Sequence, residues 1–293
     1  MEKAVEYFQQ AIDKDPTYAL AYAGLAHAFH ELSYSNPPRE MMPKSKAAAM
    51  KALQLDDSVS EAHAALGWVK WRYDWDWPGA EREFQRAIEL DSNSEMAHAQ
   101  YALYLDSMQR ADEATAEHNR AVALDPLSLI DNANVGDELY GTRQYDKAID
   151  QYRKTLELDA NFSLARWGLG GAYDRKGMHK EAVAEWQKAS LSDGDTRSAA
   201  LIGQAYSRSG YKGVLRAWLD DLTIQSAHRY VSAYSIADMY ARLGEKDRAF
   251  EFLEKAYRDR SAELIDLKVE PVFDFLHSDP RYADLLRRIG LPQ

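Results

Sequence analysis

Leu169-Gly170-Gly171-Ala172-Tyr173, followed by Ala182-Val183-Ala184-Glu185-Trp186-Gln187-Lys188-Ala189, is the stretch whose reading decides the fold. Leu169 and Tyr173 are four apart, so they share one stripe of a helix, and Gly170 between them leaves room for another helix to approach. Ala182, Trp186 and Ala189 set small, large and small residues on a second helix, as close helix packing requires. The pattern recurs along the chain. The small residue returns as Ala26, Gly67, Ala102, Gly136, Gly170, Gly203 and Ala237, at steps of 41, 35, 34, 34, 33 and 34. The second helix returns as Ala80/Phe84/Ala87, Ala114/His118/Ala121, Ala148/Tyr152/Thr155 and Ala249/Leu253/Ala256.

Each second helix is followed by a turn: Asp15-Pro16, Asp56-Asp57, Asp91-Ser92, Asp125-Pro126, Asp159-Ala160 and Asp193-Gly194. Proline cannot continue a helix, and each aspartate is expected to cap the next one. An insertion at Tyr34-Ser35-Asn36-Pro37-Pro38 accounts for the 41-residue step, and one extra residue follows in the tryptophan-rich unit. In the sixth unit Leu215 and Leu222 stand where alanine is usual, so its second helix is expected to be displaced.

On these columns the sequence resembles the tetratricopeptide repeat family. The resemblance covers residues 1 to about 261 and implies an all-α, right-handed superhelical solenoid of helix-turn-helix units. The expected organisation is a leading half repeat over 1–16 within an array over 1–261, about seven full repeats, and a helical cap over 262–293. Because the first helix of the leading unit is missing, the chain reads as a piece of a longer protein. The runs Ala19-Leu20-Ala21-Tyr22-Ala23-Gly24-Leu25-Ala26, Trp71-Arg72-Tyr73-Asp74-Trp75-Asp76-Trp77 and Leu276-His277-Ser278-Asp279-Pro280-Arg281-Tyr282 are similar to C-terminal repeat regions of bacterial multidomain regulators. That resemblance implies a sensing or recruiting role in signalling or transcription regulation, beside a winged-helix, kinase or cyclase module that this sequence does not contain.

A formal charge of −11 argues against wrapping a phosphate backbone, so direct nucleic-acid binding is not expected. There is no cysteine, hence no disulfide, thiol nucleophile or thiolate metal site. A cytoplasmic location fits this composition, and a periplasmic one remains open for a parent protein with a membrane anchor. No window approaches about 18 consecutive apolar residues, the length of a membrane span.

In the tetratricopeptide family the first helices line the concave groove. Five residues after the small column stand Glu31, Arg72, Ser107, Gly141, Arg175, Arg208 and Arg242, a ladder of four guanidiniums suited to an acidic peptide or protein partner. The alternative is that Asp106, Asp137, Asp174 and Asp238 neutralise those arginines within the chain. Trp68, Trp71, Tyr140, Trp167 and Tyr234 reach the same face, either as recognition anchors or as packing against adjacent helices. The run Trp68, Trp71, Tyr73, Trp75, Trp77 reads as a docking patch or as packing for the insertion before it. His63 and His98 share a column, but two imidazoles lack the further ligands zinc requires, so no metal site is expected there.

Gly168-Leu169-Gly170-Gly171 lies within a predicted helix and lacks the strand and lysine of a phosphate loop. No catalytic constellation or cofactor site emerges. The sequence thus predicts a non-enzymatic interaction scaffold that binds a peptide or protein in its groove. Two other classes stand beside it: a small-ligand sensory domain coupled to an effector, and a self-association module that dimerises through Tyr7, Phe8 and Ile12 of the half repeat.

Overall fold

The computed structural model describes residues 1–292, and among these every regular element is helical. The half unit is α1 (Glu2–Lys14). Six helix pairs and one merged helix follow: α2 (Ala19–Leu32) with α3 (Pro38–Leu55), α4 (Ser60–Val69) with α5 (Trp77–Leu90), α6 (Glu95–Ser107) with α7 (Ala111–Leu124), α8 (Leu129–Gly141) with α9 (Tyr145–Leu158), α10 (Ser163–Arg175) with α11 (His179–Ser192), α12 (Thr196–Ser226), and α13 (Ala233–Arg242) with α14 (Lys246–Asp259). Two 3₁₀ segments, Ala262–Lys268 and Pro271–Leu276, lead to α15 (Pro280–Ile289).

The small column works by letting a large side chain of the second helix lie against bare backbone. A methyl group on Gly170 would fall 2.4 Å from the Trp186 ring, and one on Gly136 would fall 2.4 Å from Tyr152. Both distances are far inside van der Waals contact. Gly168 meets the Tyr152 ring in the same way, so the glycine cluster of α10 serves close packing.

The aspartates after the second helices, Asp193 excepted, act differently from the sequence expectation. Asp15, Asp91 and Asp159 accept hydrogen bonds from the backbone N–H two residues on, at 2.9, 3.0 and 2.8 Å. They therefore fold the turn rather than cap the following helix. That cap falls three residues later, where Ser94 and Ser128 accept from Ala97 and Asp131 N–H at 3.3 Å.

Each turn is also tied by one column of first-helix side chains. His63, His98, Asn132 and Arg166 each bond the carbonyl six residues earlier, on Asp57, Ser92, Pro126 and Ala160. Each also bonds a second-helix residue: Glu83, Glu117, Gln151 and Glu185. The His63 and His98 rings thus hold turns, each within its own repeat.

Seven residues after the small column the chain turns left-handed, at Gln109, Arg143, Gly177, Gly210 and Gly244. In the tryptophan-rich unit the turn is at Trp75, one place later, because Lys70–Asp74 is a π-helical turn that absorbs the extra residue. Gly210 (φ 65°, ψ −159°) breaks α12 into two arms, and Leu215 of the second arm is fully buried. The sixth unit's second helix therefore continues from its first across a kink.

The array curves until its end meets its beginning. One apolar core joins Met42, Trp71, Trp77 and Tyr104 with Leu253, Phe273 and Leu286. The insertion lengthens α3 at its start, and Arg39 there donates to the Arg258 carbonyl. The Trp77 indole donates to the Ile289 carbonyl at 3.2 Å, and Arg260 donates to the Tyr73 carbonyl at 3.1 Å. Trp75 and Trp77 therefore pack against the chain's own C-terminal residues, while Trp68 stacks on His30 and Trp71 packs on Phe84 and Tyr104.

A left-handed backbone costs a non-glycine residue about 1–2 kcal/mol. Trp75, Arg143 and Arg260 take it while making contacts that close the ring, whereas Gln109 takes it with no such contact. Gln109→Gly should therefore raise stability by about 1 kcal/mol. Trp75→Gly removes the same strain and should still lose about 2 kcal/mol through the lost closure contacts. Thermal melts followed by circular dichroism compare the two variants, and a matching rise for both would refute this account of closure.

Candidate functional site

The first helices line the inside of the ring, and residues 262–276 run through that bore rather than only covering the last repeat. Glu263, Asp266, Glu270 and Asp274 make this segment acidic. It meets basic and aromatic side chains of the expected groove. The Arg72 guanidinium, 8% exposed, donates to the Ala262 carbonyl at 3.4 Å and lies 3.8 Å from Asp266. It also sits 4.7 and 4.3 Å from the Trp68 and Trp71 ring centres, so a single cation is held by both rings and the acidic segment. Tyr140 donates to Glu270 at 2.7 Å, and Arg143 donates to the Val269 carbonyl at 2.8 Å and pairs with Asp274. The buried Tyr234 ring meets Phe273 edge-on at 5.3 Å.

Other members of the ladder are paired inside the wall. Arg242 donates to Asp238 and to Asp174, both at 2.6 Å, and Arg175 donates to the same Asp174 at 2.9 Å. Burial tends to raise the Asp174 pKa, but the two arginines and the Tyr211 hydroxyl outweigh it and hold the carboxyl below its usual range. Asp106 pairs with His118 at 2.8 Å, and Asp137 accepts from Tyr152 at 2.5 Å. At the other ladder positions Ser107 accepts from the Trp71 indole at 3.0 Å, and Gly141 lies against Val269. Arg208 alone of the four ladder arginines is exposed, with no hydrogen bond or ion pair to a described residue. Trp167 is half-buried, packs on Trp218 at 5.4 Å and donates to Asp193 at 3.0 Å.

The nine expected residues thus divide by neighbourhood. Arg72, Trp68, Trp71, Tyr140 and Tyr234 stand where the C-terminal segment crosses; Arg175 and Arg242 share one aspartate; Trp167 and Arg208 belong to the fifth and sixth repeats, away from the segment. Sequence reading missed Arg143 and the acidic segment itself. Its signal was the spacing of Glu263, Asp266, Glu270 and Asp274, three or four residues apart, set against an arginine-bearing groove.

The bore is crowded with carboxyl groups. Burial pushes Asp137 and Asp266 up to about 6, against the opposing pull of the Tyr152 hydroxyl and of Arg72 respectively. Asp266 keeps 37% of its side-chain surface open to solvent, yet protein surrounds it inside the ring, so its charge is poorly hydrated. Burial also raises Glu263 and Glu270. In the first repeat His27, His30 and Glu31 cluster on α2, a grouping of types at three- and four-residue spacing that the columns of the repeat do not reveal.

Among the described residues no helix is long and apolar enough to cross a membrane. Tetratricopeptide-repeat profiles match residues 136–200 and 231–258. A TPR repeat-containing protein of Methanocaldococcus jannaschii is 24% identical over 255 residues, which cover 82% of this chain and 43% of that protein. The chain spans less than half the length of that curated relative. Among solved structures, the human IFIT1 dimer with m7Gppp-AAAA is similar at a TM-score of 0.63 and 15% identity, over 89% of this chain and 68% of that one. Pseudomonas aeruginosa pilF is similar at a TM-score of 0.50 and 16% identity, over 94% of this chain and 99% of that one. At these identities the likeness to solved structures is one of fold. Proteins of the matched repeat type are generally protein-interaction scaffolds. This chain carries tetratricopeptide repeats, and its helical array is an all-α solenoid of that type.

Proposed function

We propose that the chain is a non-enzymatic scaffold that binds an acidic peptide or protein segment on its concave wall. One observation carries this reading: the wall already holds an acidic stretch of its own chain, through Arg72, Tyr140 and Arg143. A groove that accommodates one such segment has the chemistry for another, by charge-assisted hydrogen bonds to carboxylates and carbonyls beside aromatic rings. The wall of the fifth and sixth repeats, with Trp167, Arg175 and exposed Arg208, is the part we assign to the partner. The sequence likeness to regulator repeat regions supports a recruiting role in a larger bacterial regulator, and the cysteine-free composition suits the cytoplasm.

A small-ligand sensor is the second reading. It is favoured by the Tyr234 hydroxyl, which is buried without a hydrogen-bond partner near Asp238, Glu263, Asp266 and Glu270. A metabolite panel in a thermal-shift assay separates the readings, since a specific ligand would stabilise the free chain. Dimerisation through the half repeat, where Phe8 and Ile12 pack on α2 and of the three expected residues Tyr7 alone is exposed, at 68%, is checked by light scattering, and a monomer at micromolar concentration removes it.

The direct test is peptide display against the immobilised full chain. Selection should enrich acidic, aromatic-containing peptides, and the Arg175→Glu/Arg208→Glu double variant should bind them at least about tenfold more weakly, a loss of about 1.4 kcal/mol. Selected peptides indifferent to that double substitution would remove the proposed face.

The hold of the C-terminal segment should depend on pH. The folded chain keeps the Asp266 proton more tightly than the unfolded chain does. That contribution to stability is complete below about 4, the ordinary carboxylate range, and fades as pH rises through about 6. Asp266→Asn stays neutral throughout, so its melting temperature should gain on the wild type between pH 5 and pH 7.5. A gap that narrows over this interval would contradict the assignment.

A further inference from the structure

We propose that His27, His30 and Glu31 form a binding site for a first-row divalent transition metal in the first repeat. The three residues offer two imidazole nitrogens and one carboxylate oxygen, all within 4.8 Å of one another. A tetrahedral metal with bonds of about 2.0–2.2 Å holds its ligand atoms about 3.4 Å apart, so small side-chain rotations would close the set. Two imidazoles with one carboxylate suit zinc, cobalt, iron or nickel, whereas magnesium and calcium take oxygen donors.

The histidines here differ from His63, His98 and His118. His63 and His98 spend both ring nitrogens on a turn carbonyl and a second-helix carboxylate, and His118 is paired with Asp106. His30 is 1% exposed, stacks on Trp68 at 4.8 Å, and has one ring nitrogen 3.0 Å from Glu31 Oε1. Its Nδ1 is buried with no partner, which is costly for a group that only fills space. His27 lies edge-on to His30 at 4.4 Å and makes no hydrogen bond to a described residue. His27 and Glu31 are only half-buried, so an ion can reach the cluster from solvent.

The opposing charge nearby is Arg72. Its guanidinium is engaged by Trp68, Trp71, the Ala262 carbonyl and Asp266, and it weakens attraction for a dication without blocking the three donors. Bound metal would tie α2 at the start of the groove, next to the wall that Arg72 shares with the C-terminal segment. The site does not depend on the peptide-binding reading.

The full chain, stripped with chelator and dialysed, is titrated with CoCl₂ and then with ZnCl₂ in competition. One equivalent of cobalt should bind, with visible d–d absorption, and paramagnetic quenching of tryptophan fluorescence should follow because Trp68 stacks on a ligand. His27→Ala and Glu31→Gln, at half-buried positions and checked for folding by circular dichroism, should each weaken cobalt affinity by at least about tenfold. His63→Ala should leave it unchanged. Absence of cobalt absorption in the wild type, or affinity unmoved by either substitution, overturns the site. An equal loss with His63→Ala would also overturn it, by showing diffuse binding to surface histidines.

Discussion

The guanidinium of Arg260 lies 3.7 Å from the centre of the Trp75 ring, and the closed form of this molecule depends on that contact and its neighbours. Both residues sit in the left-handed backbone region, which a tryptophan or arginine adopts only when surrounding contacts outweigh the strain. Trp75 is brought there by the π-helical turn, and Tyr257 packs on the same ring at 5.3 Å. One inserted residue therefore re-aims an aromatic side chain toward a helix 182 positions further along the sequence.

The repeat itself was readable because each unit solves the same local problem. A small residue receives a large one, a turn aspartate bonds the N–H two residues on, and a first-helix side chain ties that turn to the second helix. These devices act over about 34 residues, so they leave periodic traces in the sequence. The position of residues 262–276 leaves no such trace. It follows from the summed rotation of seven units, and a small change in rotation per unit would move the array's end far from the tryptophan-rich turn. The groove arginines were legible as a ladder for the same reason that the repeats were. Their ligand within the chain was not, since Arg72 and Asp266 are brought together only by closure.

Electrostatics inside the ring then takes a particular form. The C-terminal segment brings four acidic side chains into a bore whose wall also presents Asp106, Asp137 and Asp238. Arg72, Arg143 and Arg242 neutralise part of this charge, and raised affinity for protons takes up part of the remainder. Buried ion pairs of this kind add less to stability than to specificity, because each fixes one partner at one place along the wall. Asp174 shows the principle on a small scale, holding Arg175 of the fifth repeat and Arg242 of the seventh through a single carboxylate.

Closure changes how the array should be regarded as a folding unit. In an open solenoid each repeat touches only its neighbours, and stability is close to a sum of repeat and interface terms. Here the apolar core that includes Trp71, Trp77 and Tyr104 also contains Leu253, Phe273 and Leu286, so repeats two and three share their interior with the seventh repeat and the C-terminal residues after it. Loss of the C-terminal segment would open the core around Phe273 and leave the Arg72 cation without its acidic neighbour Asp266. Fraying from the C-terminal end is thereby linked to the second repeat. The fourth to sixth repeats pack on their sequence neighbours and on the segment, and one further tie, Asp174 to Arg242, joins the fifth repeat to the seventh. It is on this arc that Trp167 and Arg208 stand.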